Sequence, residues 1–314
     1  MRVAFMGSPE FAVPCLRALA SAHDVALAVS QPDKPAGRGG QLSSPAVAVA
    51  ARELGIAVIQ PRSAKTGELR DALVASGAEL AVVVAYGKIL PRPVLDALPR
   101  GCINVHASLL PKYRGAAPVQ WAVIDGASQT GVAIMQLDEG MDTGPVLFER
   151  RVAIDPTETS GELLARLAPI GAAALLEAIT GLAAGTAHAV AQDHGAATHA
   201  RMLTKADGAI DFSQGAPAVA ARIRGVDPWP GAIAMLRGQI LKLFRAQPDP
   251  ARPVDAAAGQ VLAIDAGGLH VACGSGHAVI REVQASGRKR MAAAQFAAGR
   301  GIAVGDVLGR AELT

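Results

Sequence analysis

The stretch LAVVVA, at Leu80–Ala85, is a short and unbroken apolar run. Such a run is typical of a central parallel strand that is buried on both faces of its sheet. A helical pattern over Thr66–Ala75 precedes it and stops at Gly77, and a short one over Pro91–Leu98 follows it. The next apolar run, Cys102–Val105, predicts another strand. Strands that alternate with helices in this way indicate a parallel sheet.

The same alternation extends in both directions along the chain. The periodicity predicts strands at Val3–Met6, Val25–Val29, Ile56–Ile59 and Gly131–Leu137, and helices at Pro9–Ala20, Pro45–Leu54 and Ser160–Ile179. We therefore predict an α/β fold with a doubly wound, mostly parallel, Rossmann-like sheet.

The pattern changes after about residue 180. Gly181–Thr204 holds many small residues and has no clear period, which is typical of a linker. Beyond it a helix is predicted at Pro217–Arg224. Short strands follow at intervals of about 8–12 residues, as in a small β-barrel or sandwich. They are predicted at Ala232–Leu236, Ile240–Phe244, Gln260–Ile264, Leu269–Ala272 and Ala278–Val283. We predict a catalytic domain at 1–189, a linker at 190–206 and a second domain at 207–314.

Composition favours a soluble protein of the cytoplasm. The chain has 314 residues, of which 51% are hydrophobic, so two domains can each bury a core. No apolar run reaches the roughly 18 residues of a membrane span, and the N-terminus reads as a first strand. The three cysteines, Cys15, Cys102 and Cys273, form no CxxC pair. We expect buried free thiols in a reducing compartment.

Charge is distributed unevenly. Residues 201–314 hold 14 basic and 9 acidic side chains, whereas residues 1–200 hold 16 and 18. A basic second part can attract a polyanion, although an ordinary solvated surface has the same composition.

The stretch INVHASLLPKYRGAAP, at Ile103–Pro118, places two polar side chains in a predicted strand. Asn104 and His106 are two residues apart, so they point to the same side. An amide can stabilise an oxyanion, and an imidazole can exchange a proton near neutral pH. No GxSxG elbow supplies a nucleophile, and no second histidine or cysteine lies at metal-ligand spacing from His106. This chemistry suits direct transfer of an activated carbonyl group without a metal.

A second polar cluster follows the strand at Gly131–Leu137. The stretch MQLDEGMDTGPV, Met135–Val146, places Asp142 between two glycines, where the backbone can turn sharply. A carboxylate at this position could orient His106 or hold a water that accepts a proton. By itself the stretch could also be an ordinary acidic turn.

Together with QPDKPAGRGGQL at Gln31–Leu42, these motifs resemble the 10-formyltetrahydrofolate-dependent formyltransferases over the whole chain, and most closely the members that act on charged initiator tRNA. The resemblance implies that Asn104, His106 and Asp142 are catalytic. Asn104 and His106 would stabilise the oxyanion, and Asp142 would accept the amine's proton through water. One departure from the commonest pattern is Ala107, where many members have glycine.

The resemblance also implies the binding residues. The donor, 10-formyltetrahydrofolate, would lie against Ser108, Leu109, Leu110, Pro111, Leu137 and Asp138. The C-terminal domain would be an OB-like β-barrel that binds methionyl-initiator tRNA. Lys34 and Arg38, in the loop Gln31–Ser43, would contact the acceptor stem. Candidate phosphate contacts in the second part are Arg222, Arg224, Lys242, Arg245, Arg288, Lys289 and Arg290. We expect a monomer that needs no metal.

Three related activities share this chemistry. A glycinamide-ribotide formyltransferase would usually end near the close of the α/β domain, so the residues beyond 206 argue against it. A formyltransferase that acts on a UDP-amino-sugar and a 10-formyltetrahydrofolate hydrolase remain alternatives. A dinucleotide-binding module is disfavoured, because the first turn reads GSPEF and not GxGxxG. A tRNA-binding protein without catalysis would not need the three polar residues together.

Overall fold

The computed structural model describes residues 1–36, 41–249 and 255–312. The chain forms two compact units, each assembled from separate stretches. The first unit comprises Met1–Gly115, Gly131–Val152 and Leu164–His199, and the second comprises Ala116–Thr130, Ala153–Leu163 and Ala200–Thr314. The expected boundaries at 189 and 207 stay a prediction.

A seven-stranded sheet forms the centre of the first unit. Its strands are β1 (Arg2–Gly7), β2 (Asp24–Val29), β3 (Val58–Ile59), β4 (Leu80–Val84), β5 (Cys102–His106), β6 (Gln129–Gln136) and β7 (Val146–Ala153). They lie in the order β7-β6-β5-β4-β1-β2-β3. The pairs β1–β2, β1–β4, β2–β3 and β4–β5 are parallel. The mostly parallel, doubly wound sheet predicted from the sequence is confirmed.

Burial explains the composition of the central strands. All five residues of β4 are buried, and five of the six residues of β1 are buried beside it. Strands covered on both faces must be apolar at every position, which is why LAVVVA shows no alternation. The chain proceeds from β1 to β2 and β3 on one side and then returns to β4 on the other. Ligands of such sheets bind beyond the carboxyl ends of the strands near this switch.

One prediction about the sheet needs correction. The strand predicted at Gly131–Leu137 does not continue the parallel series, because β6 runs antiparallel to β5. Ile103 pairs with Gln136, and His106 pairs with Ala133. The carboxyl end of β6 therefore lies at the opposite end of β5 from His106.

The helices are α1 (Val13–Ala22), α2 (Ala46–Glu53), α3 (Gly67–Ala75), α4 (Arg92–Leu95), α5 (Pro118–Ile124), α6 (Ser160–Ala184), α7 (Ala216–Gly225) and α8 (Ala293–Ala298). The helix α6 is longer than predicted. It is long and apolar enough to cross a membrane by length and composition alone. However, Leu167, Leu175 and Ile179 on this helix are fully buried within the protein. Core helices of soluble proteins have the same length and composition.

The second unit contains an antiparallel sheet. Its main strands are β8 (Ala232–Leu236), β9 (Gln239–Asp249), β10 (Val261–Asp265), β11 (Gly268–Ala272), β12 (His277–Ala285) and β13 (Leu308–Arg310). Their order is β10-β11-β12-β9-β8-β13. An antiparallel bridge between Gln260 and Val307 joins the two edges, so the sheet curls on itself as predicted. The core inside it includes Ile223 of α7, Leu243, Ile280 and Leu308.

Candidate active site

Asn104 and His106 lie on β5, between β4 and β6. Asn104 pairs with Val83 on one side and Met135 on the other, so both neighbours fix the register of β5. His106 is only 5% exposed, and Asn104 is partly exposed. Within the ranges that the structure describes, the Asn104 amide makes no hydrogen bond to another residue. It is therefore free to donate one to a ligand.

The two ring nitrogens of His106 have different surroundings. His106 Nε2 lies 2.9 Å from the carbonyl oxygen of Tyr113. A carbonyl oxygen can only accept, so Nε2 carries the hydrogen. The other nitrogen, Nδ1, lies 3.7 Å from Asp142 Oδ2. In the neutral ring Nδ1 is thus the nitrogen without a hydrogen, which can accept a proton, and it faces the carboxylate.

Asp142 reaches His106 because its turn folds back toward β5. Asp142 has φ +54°, a left-handed conformation that Asp tolerates better than most residues. Its Oδ2 accepts a hydrogen bond of 2.8 Å from the Gly115 backbone N–H. A Cβ on Gly140 would lie 2.0 Å from Thr143 Oγ1, and one on Gly144 would lie 2.0 Å from the Gln136 carbonyl oxygen. The two glycines allow the turn to close tightly.

Asp142 reaches His106 by a different route from the one that the sequence predicts. The sequence placed the acid–base set on two strand ends, but β6 is antiparallel and ends away from His106. Asp142 approaches through the fold of its loop and the contact with Gly115. The three residues predicted to be catalytic nevertheless lie in one unit, with His106 and Asp142 side by side.

The residues predicted to bind folate form two groups. Leu110 is buried with Ala133 and Met135, and Leu137 packs on the same cluster. The two polar residues, Ser108 and Asp138, form hydrogen bonds with residues close to them in the sequence. The buried Ser108 hydroxyl donates to the Lys112 carbonyl, and Asp138 accepts from the Gly140 N–H and the Thr143 hydroxyl within its own turn. Leu109 and Pro111 are partly exposed.

The cysteines offer no nucleophile to this site. Cys15, Cys102 and Cys273 are free and buried, as predicted. Burial raises the pKa of Cys15 and of Cys102 to about 12, and that of Cys273 to about 11. These thiols stay protonated near neutral pH, and only the thiolate is a good nucleophile. Across the described part of the chain, no group of three or more His, Cys, Asp or Glu side chains could hold a metal ion.

The basic residues predicted to bind tRNA differ in their availability. Lys242, Arg288 and Lys289 are exposed, and so is Lys34 in the first unit. Arg38 lies outside the described residues.

Other basic candidates are paired within the second unit. Arg222 lies 3.8 Å from Asp207 and over the Trp121 ring, and Arg290 contacts Glu282 and the Phe244 ring. Arg245 forms two hydrogen bonds with Glu162. Arg224 is buried and donates to the Ala246 carbonyl.

Sequence reasoning missed three residues around the site. Gln192 is buried and donates to the carbonyls of Asp142 and Gly144. Arg114 is buried against Gln192, and Thr198 accepts from the Tyr113 N–H. Two of them lie in the segment predicted to be a linker. A buried Arg and a buried Gln without apolar periodicity leave no pattern in the sequence.

Two family models and full-length relatives match this chain. Residues 1–179 match the family described as formyl transferase, and residues 202–301 match the formyl transferase C-terminal domain. A methionyl-tRNA formyltransferase of Desulfotalea psychrophila is 49% identical over 309 residues, which are 98% of this chain and 95% of that protein. One of Sorangium cellulosum is 46% identical and covers 99% of this chain and 100% of that protein.

Solved structures share the fold at low identity. HypX from Aquifex aeolicus in complex with tetrahydrofolic acid has a TM-score of 0.62 and 16% identity, and the match covers 94% of this chain and 46% of HypX. The sugar 3N-formyl transferase WlaRD has a TM-score of 0.67 and 14% identity, with 92% of this chain and 99% of that one covered. With both family models and full-length relatives matched, this chain belongs to the methionyl-tRNA formyltransferases of the formyl transferase family.

Proposed function

We propose that the protein transfers the formyl group of 10-formyltetrahydrofolate to the amino group of methionyl-initiator tRNA. The observation that carries this proposal is the 3.7 Å distance between Asp142 Oδ2 and His106 Nδ1. Asn104 lies two residues before His106 on β5, and among the described residues its amide has no hydrogen-bond partner. An oxyanion donor, a proton carrier and a carboxylate are the groups that acyl transfer from one amine to another requires. The full-length relatives named above support the choice of acceptor.

The chemistry uses the three side chains in sequence. The methionyl amine attacks the formyl carbon, and the carbonyl oxygen becomes an oxyanion. The amine's proton passes through a water to Asp142 and on to His106 Nδ1, because Nε2 is held by Tyr113. The Asn104 N–H and the Nδ1–H stabilise the oxyanion. The N10–formyl bond then breaks as Nδ1 gives that same proton to N10.

The apolar cluster beside Ala133 and Met135 supports the donor site. Leu137, which packs on the cluster that buries Leu110, presents hydrocarbon surface, and this suits the flat face of a pterin ring. Leu109 and Pro111 extend that surface. Ser108 would contribute through the loop's backbone, because its hydroxyl already donates to Lys112. Asp138 would act by shaping its turn, because it accepts from the Gly140 N–H and the Thr143 hydroxyl.

For tRNA, the exposed cations are the best candidates. Lys242, Arg288 and Lys289 each add a salt-dependent attraction to phosphate. Arg222 and Arg290 keep partial exposure beside their partners and can contribute less. Lys34 and Arg38 would contact the acceptor end from the loop Gln31–Ser43.

A direct assay decides between acceptors. Purified protein is mixed with 10-formyltetrahydrofolate and offered charged initiator tRNA, a UDP-amino-sugar, or no acceptor. We expect N-formylmethionyl-tRNA to form much faster than either alternative product. Faster formylation of the sugar nucleotide, or rapid release of formate without an acceptor, would favour the respective alternative.

The remaining properties belong to the same proposal. We propose a cytoplasmic monomer that needs neither a membrane nor a metal, with a catalytic domain at 1–189, a linker at 190–206 and a tRNA-binding domain at 207–314. Size-exclusion chromatography with light scattering tests the monomer. Activity in the presence of EDTA tests the independence from metal.

A further inference from the structure

The segment Val190–Thr198, called the strap here, runs along the active-site loops of the first unit. Val190 pairs with Val146 at its start, and at its end Thr198 donates its N–H to the Pro111 carbonyl. We infer that the strap positions both members of the acid–base pair, with Gln192 acting on Asp142 and Thr198 acting on His106. The inference rests on the proposed function for its kinetic readout.

Gln192 uses every polar atom of its side chain. Its Nε2 donates to the Asp142 carbonyl at 2.9 Å and to the Gly144 carbonyl at 2.6 Å. Its Oε1 accepts from Arg114 Nε at 3.1 Å and Nη2 at 2.6 Å. The side chain is buried, so these bonds have no competition from water. Only a primary amide supplies two donors and an acceptor in this arrangement.

The residue held in this way has a left-handed backbone. Asp tolerates this conformation better than most residues, but it still costs free energy, which contacts with the surroundings offset. Gln192 binds its carbonyl, and Gly115 binds its carboxylate. The two contacts fix the backbone and the side chain separately. The distance from Asp142 to His106 therefore depends on Gln192.

Thr198 acts on the histidine through Tyr113. Its Oγ1 accepts the Tyr113 N–H at 2.8 Å, and Tyr113 also has a left-handed backbone, with φ +58°. The carbonyl of the same residue accepts from His106 Nε2. Thr198 also accepts the Arg114 N–H with its own carbonyl at 2.9 Å. The strap therefore holds the group that selects the tautomer of His106.

Gln192→Glu is the sharpest variant. The carboxylate still accepts from Arg114, but it turns an oxygen toward two carbonyl oxygens and releases Asp142. We expect kcat to fall by about 10–100-fold, since small displacements of catalytic groups have effects of this size. The KM values for 10-formyltetrahydrofolate and tRNA should change by less than about 2-fold. The control is Asp193→Asn, an exposed neighbour that keeps its capping oxygen.

A double variant separates positioning from general loss of structure. If Gln192 acts through Asp142, then Asp142→Asn with Gln192→Glu should be no slower than Asp142→Asn alone. If the double variant loses kcat by the product of the two single effects, the inference for Gln192 is overturned. It is also overturned if Gln192→Glu keeps the wild-type kcat. Should Gln192→Glu fail to fold, Thr198→Val and Thr198→Ser give the parallel test, because only Ser retains the accepting hydroxyl. Equal activity of these two variants would overturn the role of Thr198.

A readout that does not need turnover keeps the two proposals apart. NMR chemical shifts recorded at one pH report the surroundings of the Gly115 amide, which donates to Asp142, and of the His106 ring nitrogens. We expect Gln192→Glu to move the Gly115 amide signal and Thr198→Val to change the His106 tautomer signal. If the wild type forms no formylated tRNA while these changes occur, the proposed function fails and the strap's role stands. Unchanged signals in both variants would reject the strap's role.

Discussion

His106 Nδ1 lies 3.7 Å from Asp142 Oδ2, while the opposite nitrogen donates to the Tyr113 carbonyl. The separation exceeds a hydrogen bond, so the neutral ring and the carboxylate do not share a proton directly. A substrate amine or a water that lies to one side of the pair, within hydrogen-bond distance of each atom, can bond to both. The pair is therefore arranged for a reaction partner and not as a closed ion pair.

Removing the imidazole should separate catalysis from binding. His106→Ala deletes a general acid–base group, and such a group typically contributes about 10²–10⁴-fold to rate. We expect kcat to fall within that range, while the Kd for charged tRNA changes by less than about 2-fold. Single-turnover formylation and filter binding measure the two quantities. His188→Ala, at an exposed position, is the matched control. Formylation at the normal rate would remove His106 from the mechanism.

The charge on Asp142 can be removed without altering its shape. Asparagine also tolerates a left-handed backbone, and its oxygen can still accept from the Gly115 N–H. We expect Asp142→Asn to lower kcat by about 10²-fold or more, because the proton acceptor is lost. The melting temperature should stay near that of the wild type.

The control for this substitution is Asp96→Asn. Asp96 forms an exposed ion pair with Arg92, of a kind that contributes little to stability. Its activity should match the wild type. Wild-type kcat in Asp142→Asn would show that the carboxylate has only a structural role.

The sequence predicted the parts of the site that depend on local pattern. Asn104 and His106 follow from strand periodicity, and Asp142 follows from its flanking glycines. What it could not supply are contacts between distant segments. Gln192 and Asp142 are 50 residues apart, and Thr198 and Tyr113 are 85 apart. Nothing in a stretch of small and polar residues distinguishes a strap from a linker.

The direction of β6 was missed for a related physical reason. An apolar strand in the middle of a sheet has the same composition whether its neighbour is parallel or antiparallel. The intervening chain, not the strand itself, determines the direction.

The barrel strands were found because glycines and prolines separate them, but β9 extends to Asp249, five residues beyond the predicted end at Phe244.

Salt dependence should identify the cations that contact tRNA. Each phosphate contact adds about 0.7–0.9 to the slope of log Kd against log salt concentration. We expect Arg288→Ala with Lys289→Ala to lower this slope by about 1.4–1.8. Binding of charged initiator tRNA between 50 and 300 mM KCl, roughly the range over which counterion release is measurable, gives the slope. Lys65→Ala, another exposed cation, should leave it unchanged.

Asp207 should make the second unit sensitive to acid. Hydrogen bonds from Arg201 and from Thr204 hold the pKa of this carboxyl below its usual range. A lowered pKa in the folded state stabilises the fold above the unfolded value of about 3.9, and this contribution is lost as the pH falls through the folded value. Asp207→Asn should lower the free energy of unfolding by about 1–3 kcal/mol at pH 7.

Urea denaturation at several pH values measures the effect. The difference between Asp207→Asn and the wild type should narrow below about pH 4, where Asp207 of the unfolded chain begins to protonate while that of the folded protein stays charged. Asp255→Asn changes an exposed carboxylate of the same unit and should have little effect. A constant difference down to about pH 2 would mean that the charge of Asp207 does not contribute.

Gly131 lies on β6 against Leu109, in the loop that follows β5. A Cβ at this position would lie 2.2 Å from the Arg150 carbonyl oxygen and 2.4 Å from Leu109 Cδ2. The backbone oxygen is fixed within the sheet, so Gly131→Ala must displace the strand, and Leu109 with it. We expect a loss of stability of about 1–3 kcal/mol, as for other overpacked sites. The KM for 10-formyltetrahydrofolate should rise more than that for tRNA, because Leu109 lies in the proposed donor site.

Gly67→Ala is the control for adding a methyl group. Gly67 begins α3, and a Cβ there would meet only the Asp71 carboxylate, at 3.4 Å. Alanine favours a helix by up to about 1 kcal/mol over glycine, so this variant should be as stable as the wild type or more so. Thermal unfolding compares the two variants, and initial rates at varied donor concentration give KM. If Gly131→Ala were as stable as Gly67→Ala with an unchanged KM, the loop after β5 would have to move independently of β6, and Leu109 would not line the donor site.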